Sequence, residues 1–168
     1  MTRRLLLIRH AEAGMTPHGG GDHDRTLSPH GVAQAEAIGA LIADGVLPRP
    51  DLVFTSSAVR ARQTWEAAAS RASLAAPTVA DRALYGARHT ELVDVLREVP
   101  DAVGAVALVG HAPEIPALAF SVPDARAIGL GTRGWPAACV GVVEVTGTWS
   151  EFPDAGARLV LALAVEPE

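Results

Sequence analysis

The sequence predicts an α/β fold, a three-layer α/β/α sandwich whose central sheet is mainly parallel. Short apolar stretches alternate with helix-like stretches through the first two-thirds of the chain, which is the pattern of parallel strands joined by crossover helices. Three of these apolar stretches end abruptly at His10, Ser56 and His111. Because binding sites in such sheets form beyond the carboxyl ends of the strands, these residues predict a shared functional cleft.

Length and composition narrow the class of protein. The 168 residues predict one domain over residues 1–168, and 49% hydrophobic residues with only 4% aromatics predict an aliphatic core. The formal net charge of -5 argues against a nucleic-acid or anionic-membrane partner. A single cysteine, Cys139, excludes an intrachain disulfide.

Targeting segments are not expected. The apolar run after Arg3 and Arg4 is too short for a signal peptide, and no apolar run approaches the roughly 20 residues of a membrane span. We therefore expect a cytoplasmic protein, while its oligomeric state stays open.

Strands and helices can be placed from the apolar pattern and its boundaries. The predicted strands are residues 4–8, 52–54, 77–80, 105–109, 139–145 and 158–165. The predicted helices are residues 29–43, with Ser28 as N-cap and Pro29 as first residue, residues 58–72, a helix capped by Thr90 and closed by Pro100, and residues 113–120. The first helix should bury one face, which contains Val32, Ala35, Ile38 and Ile42. Residues 121–138 are rich in glycine and proline, so we expect a long surface loop, with Trp135 in it either exposed or packed on the core.

The first strand delivers Arg9 and His10 to the predicted cleft. A solvent-facing strand end is the ordinary alternative for such a pair. A neutral imidazole is, however, a good nucleophile, and a neighbouring guanidinium can bind a phosphoryl group through two hydrogen bonds.

Arg60 lies in the first turn of the second predicted helix. A cation there is mildly unfavourable, by about 0.3–1 kcal/mol, because it faces the positive end of the helix dipole. Binding of an anion by both the arginine and the helix N-terminus would offset that cost. His111, at the end of a later strand, can donate a hydrogen bond to a phosphoryl oxygen as negative charge builds on it.

These segments together resemble the signatures of the histidine phosphatase superfamily. Residues 9–11 resemble its Arg-His-Gly signature with Ala11 for the glycine, and residues 110–113 resemble Gly-His-Asn-Pro with Ala112 for the asparagine. Residues 56–64 resemble Ser-Pro-x-x-Arg-Ala-x-Gln-Thr without the proline, and residues 24–31 resemble Arg-Pro-Leu-Thr-x-x-Gly. The short chain and the last segment point to the SixA-like phosphohistidine phosphatase branch, and thus to a phosphoglycerate mutase-like fold.

The resemblance implies a two-step transfer that needs no metal and no cofactor. His10 attacks phosphorus and becomes phosphorylated, and water then hydrolyses the intermediate. Arg9, Arg60 and His111 are implied to neutralise the phosphoryl oxygens. Arg25 is a candidate further phosphate contact, and an ordinary loop arginine is the equal alternative. His18, His23 and His30 fit no standard zinc spacing, so a solvated loop is expected there.

Protonation of the leaving group is the gap in this comparison. Many superfamily members place an acidic residue in a segment resembling residues 84–87, where this chain has Gly86. An alkoxide leaving group without a general acid loses about 10²–10⁴ in rate, whereas imidazole depends on one less. This favours phosphohistidine or another labile phosphoramidate over a simple phosphate ester. The acid-free site and the 18-residue loop at residues 9–26 also predict an open pocket, which suits a phosphohistidine-bearing protein better than a small phosphorylated substrate. Glu12 and His89 are the substitute acid candidates.

Two other functions stay open on the sequence. One is a small-molecule phosphate-ester phosphatase. The other is a non-catalytic phosphate-binding module, because Ala11 and Ala112 replace residues of two signatures.

Overall fold

A computed structural model describes residues 1–125, 134–154 and 156–167, and a seven-stranded sheet forms its centre. The strands are β1 (Arg3–Arg9), β2 (Leu52–Ser56), β3 (Thr78–Asp81), β4 (Ala105–Gly110), β5 (Asp124–Ala125), β6 (Cys139–Val145) and β7 (Ala157–Ala164). They lie in the order β3-β2-β4-β1-β6-β7-β5. Within these ranges, β6 alone runs antiparallel to its neighbours, β1 and β7. The prediction of a mainly parallel sheet is confirmed.

Helices cover both faces of this sheet, which gives the predicted three layers. They are α1 (Pro29–Ala43), α2 (Val59–Arg71), α3 (His89–Arg97) and α4 (Glu114–Ser121). Alternate residues of a strand point to opposite faces. Leu6 and Ile8 of β1 therefore pack with α1 and α2, while Leu5 and Leu7 pack with α3 and α4. Burial on both faces explains why β1 reads as a continuous apolar run.

The register of the central strands brings their carboxyl ends to one edge. Arg9 of β1 lies opposite Gly110 of β4, and Thr55 of β2 lies opposite Val109. The His10 amide extends the β1–β4 pairing, donating to the Gly110 carbonyl over 2.9 Å. The residues that follow these strands consequently face one another across a shared cleft.

Several predicted boundaries match the structure and a few do not. The first helix begins and ends as predicted, and Ser28 caps it by accepting a hydrogen bond from the Gly31 amide. Val32, expected on the buried face, is 40% exposed, because the helix packs on the sheet through Ala35, Ile38 and Ile42. The third helix begins one residue before Thr90, with Arg88 as its N-cap and Glu91 bonding back to the Arg88 amide.

The predicted surface loop at residues 121–138 is wrong at its start, where Ser121 still belongs to α4, whereas residues 134–138 form no helix or strand. Residues Asp124–Ala125 pair with β7 as a short strand. Trp135 is only 7% exposed and packs in the core on the α3–α4 side of the sheet, which confirms core packing for this side chain. Residues 126–133 of the predicted loop lie outside the described residues.

Within residues 1–125, 134–154 and 156–167, no helix has both the length and the apolar character that crossing a bilayer requires.

Candidate active site

His10 lies at the base of the cleft with a fixed tautomer. Its Nδ1 is 2.7 Å from the Ala11 carbonyl oxygen, and since a carbonyl only accepts, Nδ1 holds the proton. Nε2 is then unprotonated, and it accepts a hydrogen bond of 3.2 Å from Nε of Arg60. The ring thus presents one unprotonated nitrogen, whose lone pair is directed at the guanidinium of Arg60.

The surroundings of His10 keep this ring neutral. Burial is the largest cause, and it lowers the pKa of His10 to about 4 against the opposing hydrogen bond to Ala11. The positive charges of Arg60, Arg9 and Arg25 lower it further. At neutral pH His10 is therefore uncharged, as a nucleophile must be.

Arg60 connects the nucleophile candidate to the loop after β1. It lies in the first turn of α2 and is 5% exposed. Its Nη1 donates to the Asp22 carbonyl over 2.6 Å, and its Nη2 donates to Oδ2 of Asp22 over 2.9 Å. Nη2 also lies 3.4 Å from Nδ1 of His111. One edge of the guanidinium, Nε with Nη2, thus faces the two histidines.

Gln63 and Thr64 are the last two residues of the signature at residues 56–64. They hold the segment that follows β1 against α2. The Thr64 hydroxyl accepts a hydrogen bond from the Ala11 amide over 3.0 Å and donates to the Arg60 carbonyl over 2.7 Å. Oε1 of Gln63 accepts from the Leu27 amide over 2.8 Å. These bonds fix the backbone beside His10 relative to Arg60, so both residues support the geometry of the cleft.

His111 follows β4 and completes the pair of histidines. The two rings have centroids 5.1 Å apart. Nε2 of His111 lies 2.8 Å from the hydroxyl of the fully buried Ser56. Burial, followed by the charges of His10 and Arg60, lowers the pKa of His111 to about 3. His111 is consequently neutral, and its Ser56 partner is able to accept or donate.

The two other predicted phosphate contacts lie near this centre. Arg9 donates from Nη1 to the Trp135 carbonyl over 2.7 Å, and its charge lowers the pKa of both histidines. Arg25 donates from Nε to the Gly14 carbonyl and forms a 3.2 Å ion pair with Asp22. Its charge also acts on His10. Arg9, Arg25 and Arg60 therefore surround an uncharged imidazole with three cations.

The two candidate acids are engaged elsewhere. Glu12 accepts a 2.6 Å hydrogen bond from Ser28 at the start of α1. His89 begins α3 and borders a surface groove with Asp94 and Arg97. Among the hydrogen bonds of the described residues, neither side chain bonds to His10, Arg60 or His111.

The loop histidines do not converge on one point. His23 lies 2.8 Å from the Ser57 hydroxyl, and His30 lies 3.1 Å from Glu166 near the end of the chain. His18 is exposed.

The sequence reasoning missed Asp22 and Tyr85. The Tyr85 hydroxyl donates to Oδ2 of Asp22 over 2.8 Å, and its ring meets both His23 and His111 edge-on. Tyr85 is the chain's single tyrosine and precedes the glycine at the family's acid position, which was a usable signal. The sequence signal for Asp22 was weaker: it lies three residues before Arg25 in a glycine-rich segment.

The arrangement is suited to a phosphoryl group. Three arginines supply positive charge, the edge of Arg60 presents two parallel donors, and His10 presents an unprotonated Nε2 to that edge. Phosphoryl transfer depends chiefly on such positioning and charge neutralisation. The geometry therefore fits attack by His10 on a bound phosphoryl group.

Comparison with known proteins identifies the family of this chain. The model of the histidine phosphatase superfamily (branch 1) matches residues 5–92. An uncharacterized protein of Mycobacterium tuberculosis is 33% identical over 158 residues, covering 91% of this chain and 96% of that protein. The chain belongs to the histidine phosphatase superfamily and is a phosphatase of that family.

Solved structures define its branch. A protein of Nakamurella multipartitia, provisionally designated phosphohistidine phosphatase SixA, has 34% identity and a TM-score of 0.82, covering 96% of this chain and 95% of that one. A protein of Agrobacterium tumefaciens with the same provisional designation has 29% identity and a TM-score of 0.78, covering 96% and 97%. Within the superfamily, this chain is SixA-like.

Proposed function

We propose that this protein is a metal-independent phosphohistidine phosphatase that acts on a phosphorylated protein through a covalent phosphoenzyme. The observation that supports it most directly is the state of His10. Nδ1 is bonded to the Ala11 carbonyl, and Nε2 is free of a proton and directed at Arg60. A neutral, oriented imidazole among cations is what attack on phosphorus requires.

The proposed reaction has two balanced steps. In the first, the Nε2 lone pair of His10 forms a bond to phosphorus, and the bond from phosphorus to the leaving nitrogen breaks with its electron pair staying on that nitrogen. In the second, a water oxygen bonds to phosphorus, the bond to Nε2 breaks, and the water proton is released. Arg9, Arg60 and His111 bind the phosphoryl oxygens in both steps, with Arg25 as a further contact.

Two features of the cleft support a phosphohistidine substrate. The Asp22 side chain, which bonds to Arg60 at the mouth of the cleft, is 53% exposed, so a residue carried by another protein can approach the cleft from this side. The candidate acids Glu12 and His89 are bonded elsewhere or remote, and an imidazole leaving group needs an acid less than an alkoxide does. Both features are less suited to a small phosphate ester.

The test is a comparison of two substrates. Phosphate release is measured from a phosphohistidine peptide and from p-nitrophenyl phosphate, with EDTA present and His10→Ala as control. We expect release mainly from the peptide, unchanged by EDTA and lost in the variant. Release mainly from the ester would replace this proposal with a small-molecule phosphatase, and release from neither would favour a phosphate-binding module.

A further inference from the structure

Asp22 is an unusual neighbour for a phosphate site. Its carboxylate lies 2.9 Å from Nη2 of Arg60 and 3.2 Å from Nη1 of Arg25. A negative charge there repels a phosphoryl dianion and reduces the positive potential of both arginines. Hydrolysis of a phosphoryl group does not by itself require a carboxylate at this position.

The carboxylate and a bound phosphoryl group use different edges of Arg60. Nε and Nη2 face His10 and His111, whereas Nη1 and Nη2 face the carbonyl and carboxylate of Asp22. A phosphoryl group bound between the histidines and the first edge therefore leaves Asp22 in place. The anion and the carboxylate then lie side by side on one guanidinium.

The depth of each group sets the direction of transfer. His10 lies at the base of the cleft, and Asp22, with its side chain 53% exposed, lies at the mouth. In-line displacement requires the leaving group to depart on the side opposite the nucleophile. The leaving group thus departs towards the mouth, where Asp22 and Tyr85 are.

The groups at the mouth are able to accept hydrogen bonds and poorly able to give up protons. The hydrogen bond from Tyr85 is the largest of the causes that lower the pKa of Asp22 to about 2, followed by bonds from Arg25 and Arg60. The same hydrogen bond raises the pKa of Tyr85. Asp22 is ionised at neutral pH and Tyr85 keeps its proton. A leaving group that brings its own N–H is therefore the better match.

We propose that Asp22 is a specificity-determining residue whose carboxylate accepts the N–H of a protonated nitrogen leaving group and so selects N-phosphoryl over O-phosphoryl substrates. For phosphohistidine, the proton is on the imidazole nitrogen that is not bonded to phosphorus. This inference rests on the proposed function, and it names the N–H of the leaving group as the feature that the cleft recognises.

Departure of the leaving group needs no general acid. The Nε2 lone pair of His10 bonds to phosphorus while the bond from phosphorus to the substrate nitrogen breaks, and that nitrogen keeps the electron pair. The substrate imidazolium becomes neutral imidazole and retains the proton on its other nitrogen. Asp22 favours the protonated substrate over its neutral form, and the neutral form would have to leave as an imidazolate anion. Because kcat/KM compares the transition state with free enzyme and free substrate, the preference of Asp22 for the protonated substrate should raise kcat/KM.

The experiment replaces the charge and keeps the contact. Asp22→Asn retains an oxygen that can accept from Arg60, and the bond from Arg60 to the Asp22 backbone carbonyl is unaffected. Asp24→Asn is the matched control, because it makes the same charge change two residues away and its carboxylate bonds to the Gly21 amide. The kcat/KM for a phosphohistidine peptide and for p-nitrophenyl phosphate, and inhibition by inorganic phosphate, are measured for each protein.

For Asp22→Asn we expect the peptide kcat/KM to fall about tenfold or more, as expected for losing one charge-assisted hydrogen bond. The ester kcat/KM should stay or rise, and inorganic phosphate should inhibit at lower concentration because a repelling charge is gone. Asp24→Asn should behave as wild type in all three measurements.

Four results would overturn the inference. An equal fall for both substrates with weaker phosphate inhibition would show that Asp22 only positions Arg60. If Asp24→Asn changed the three measurements as much as Asp22→Asn does, the net charge of the protein, and not the position of Asp22, would explain the effect. A wild-type protein that does not cleave the peptide would refute the proposed function and this inference with it, whereas a wild type that cleaves the peptide and an Asp22→Asn variant with unchanged preference would refute this inference alone.

Discussion

At the scale of single residues, the tautomers of two histidines determine what the cleft can do. The Ala11 carbonyl settles the proton position on His10. On His111 the choice depends on Ser56, whose hydroxyl accepts from the Ala58 amide and lies 2.8 Å from Nε2. In the described arrangement, Nδ1 of His111 faces an Arg60 donor and must be unprotonated. Binding a phosphoryl oxygen through Nδ1 requires the other tautomer, with Ser56 donating to Nε2.

Ser56→Ala tests this role. Without the hydroxyl, Nε2 loses its partner and the tautomer that donates from Nδ1 is no longer stabilised, so we expect kcat/KM to fall about tenfold, the size of one hydrogen bond. Nitrogen NMR of His111 reports which ring atom holds the proton in the presence of inorganic phosphate. Wild type should shift to protonated Nδ1 and the variant should not. An unchanged tautomer population in the variant would exclude this role.

Arg60→Lys tests the fork geometry of the guanidinium. A lysine ammonium is a point charge and cannot bond to His10, Asp22 and a phosphoryl group at once. We expect kcat/KM to fall about 10²-fold or more, as for the loss of a transition-state donor. Arg62→Lys, at an exposed position on the same helix, is the matched control and should leave kcat/KM unchanged. Similar losses in the two variants would contradict the role given to Arg60.

Among single residues, the sequence predicted some members of the site and missed others. Arg9, His10, Arg60 and His111 follow predicted strands or begin a predicted helix, so the order of elements was enough to bring them together. Asp22 begins a short 3-10 helix and Tyr85, 63 positions later, follows another one, so their hydrogen bond depends on the folded path of both segments. No local pattern in the sequence determines such a contact.

At the scale of elements, the start of α1 packs directly on the segment that follows His10. Gly31, in the first turn of α1, has no room for a side chain, because a Cβ there would meet the Glu12 carbonyl oxygen. The Ser28 amide donates to the same carbonyl, and the Glu12 amide donates to Gln34 of α1. The helix thus holds the backbone two residues beyond the nucleophile candidate.

Gly31→Ala is expected to push α1 away from this segment. Overpacking of this kind costs about 1–3 kcal/mol of unfolding free energy, and the displaced backbone should also lower kcat/KM. Urea denaturation and steady-state kinetics measure the two effects. Gly14→Ala, in the same segment, is the control, since a Cβ there would lie at an ordinary 3.8 Å from the Thr26 carbonyl. If both variants lose the same stability, packing at Gly31 is not the reason.

Element boundaries could be predicted where a cap or a proline marks them. Ser28 and Pro29 fixed the start of α1, and the apolar runs located the strands to within one or two residues. The start of α3 was wrong because its cap uses the Glu91 carboxylate and the Arg88 amide, an interaction that any residue at the N-cap permits. The short strand β5 has only two residues, too few for a periodic pattern.

At the scale of the whole molecule, two buried neutral histidines make stability depend on pH. Burial lowers the pKa of His10 to about 4 and that of His111 to about 3, against an ordinary value of 6.5. The unfolded chain therefore binds protons at a pH where the folded chain does not. The free energy of unfolding should be highest above pH 6.5 and should decrease as the pH falls from there towards 4.

Urea denaturation at a series of pH values checks this. The double variant His10→Asn with His111→Asn should show a flatter dependence between pH 6.5 and 4, while His18→Asn, at an exposed loop position, should follow wild type. A wild-type curve that is flat over this range would mean that the two rings are not held neutral by burial.

The architecture itself was predictable from alternation of strands and helices, and the sheet order places β1, β4 and β2 side by side with their carboxyl ends at one edge. The antiparallel placement of β6 beside β1 was not predictable, because an apolar run does not show the direction of its pairing. This placement matters for the cleft, since the Ala138 amide just before β6 donates to the His10 carbonyl.

The most direct test of the account is to find the phosphoryl group on the enzyme. Wild-type protein is mixed with a phosphohistidine peptide, quenched within the first turnover, digested at alkaline pH to preserve a phosphorus–nitrogen bond, and analysed by mass spectrometry, with His10→Ala in parallel. We expect a transient phosphoryl group on the ring of His10 that disappears as phosphate is released and never forms in the variant. Turnover without any phosphorylated enzyme, or with the phosphoryl group on another residue, would contradict this expectation.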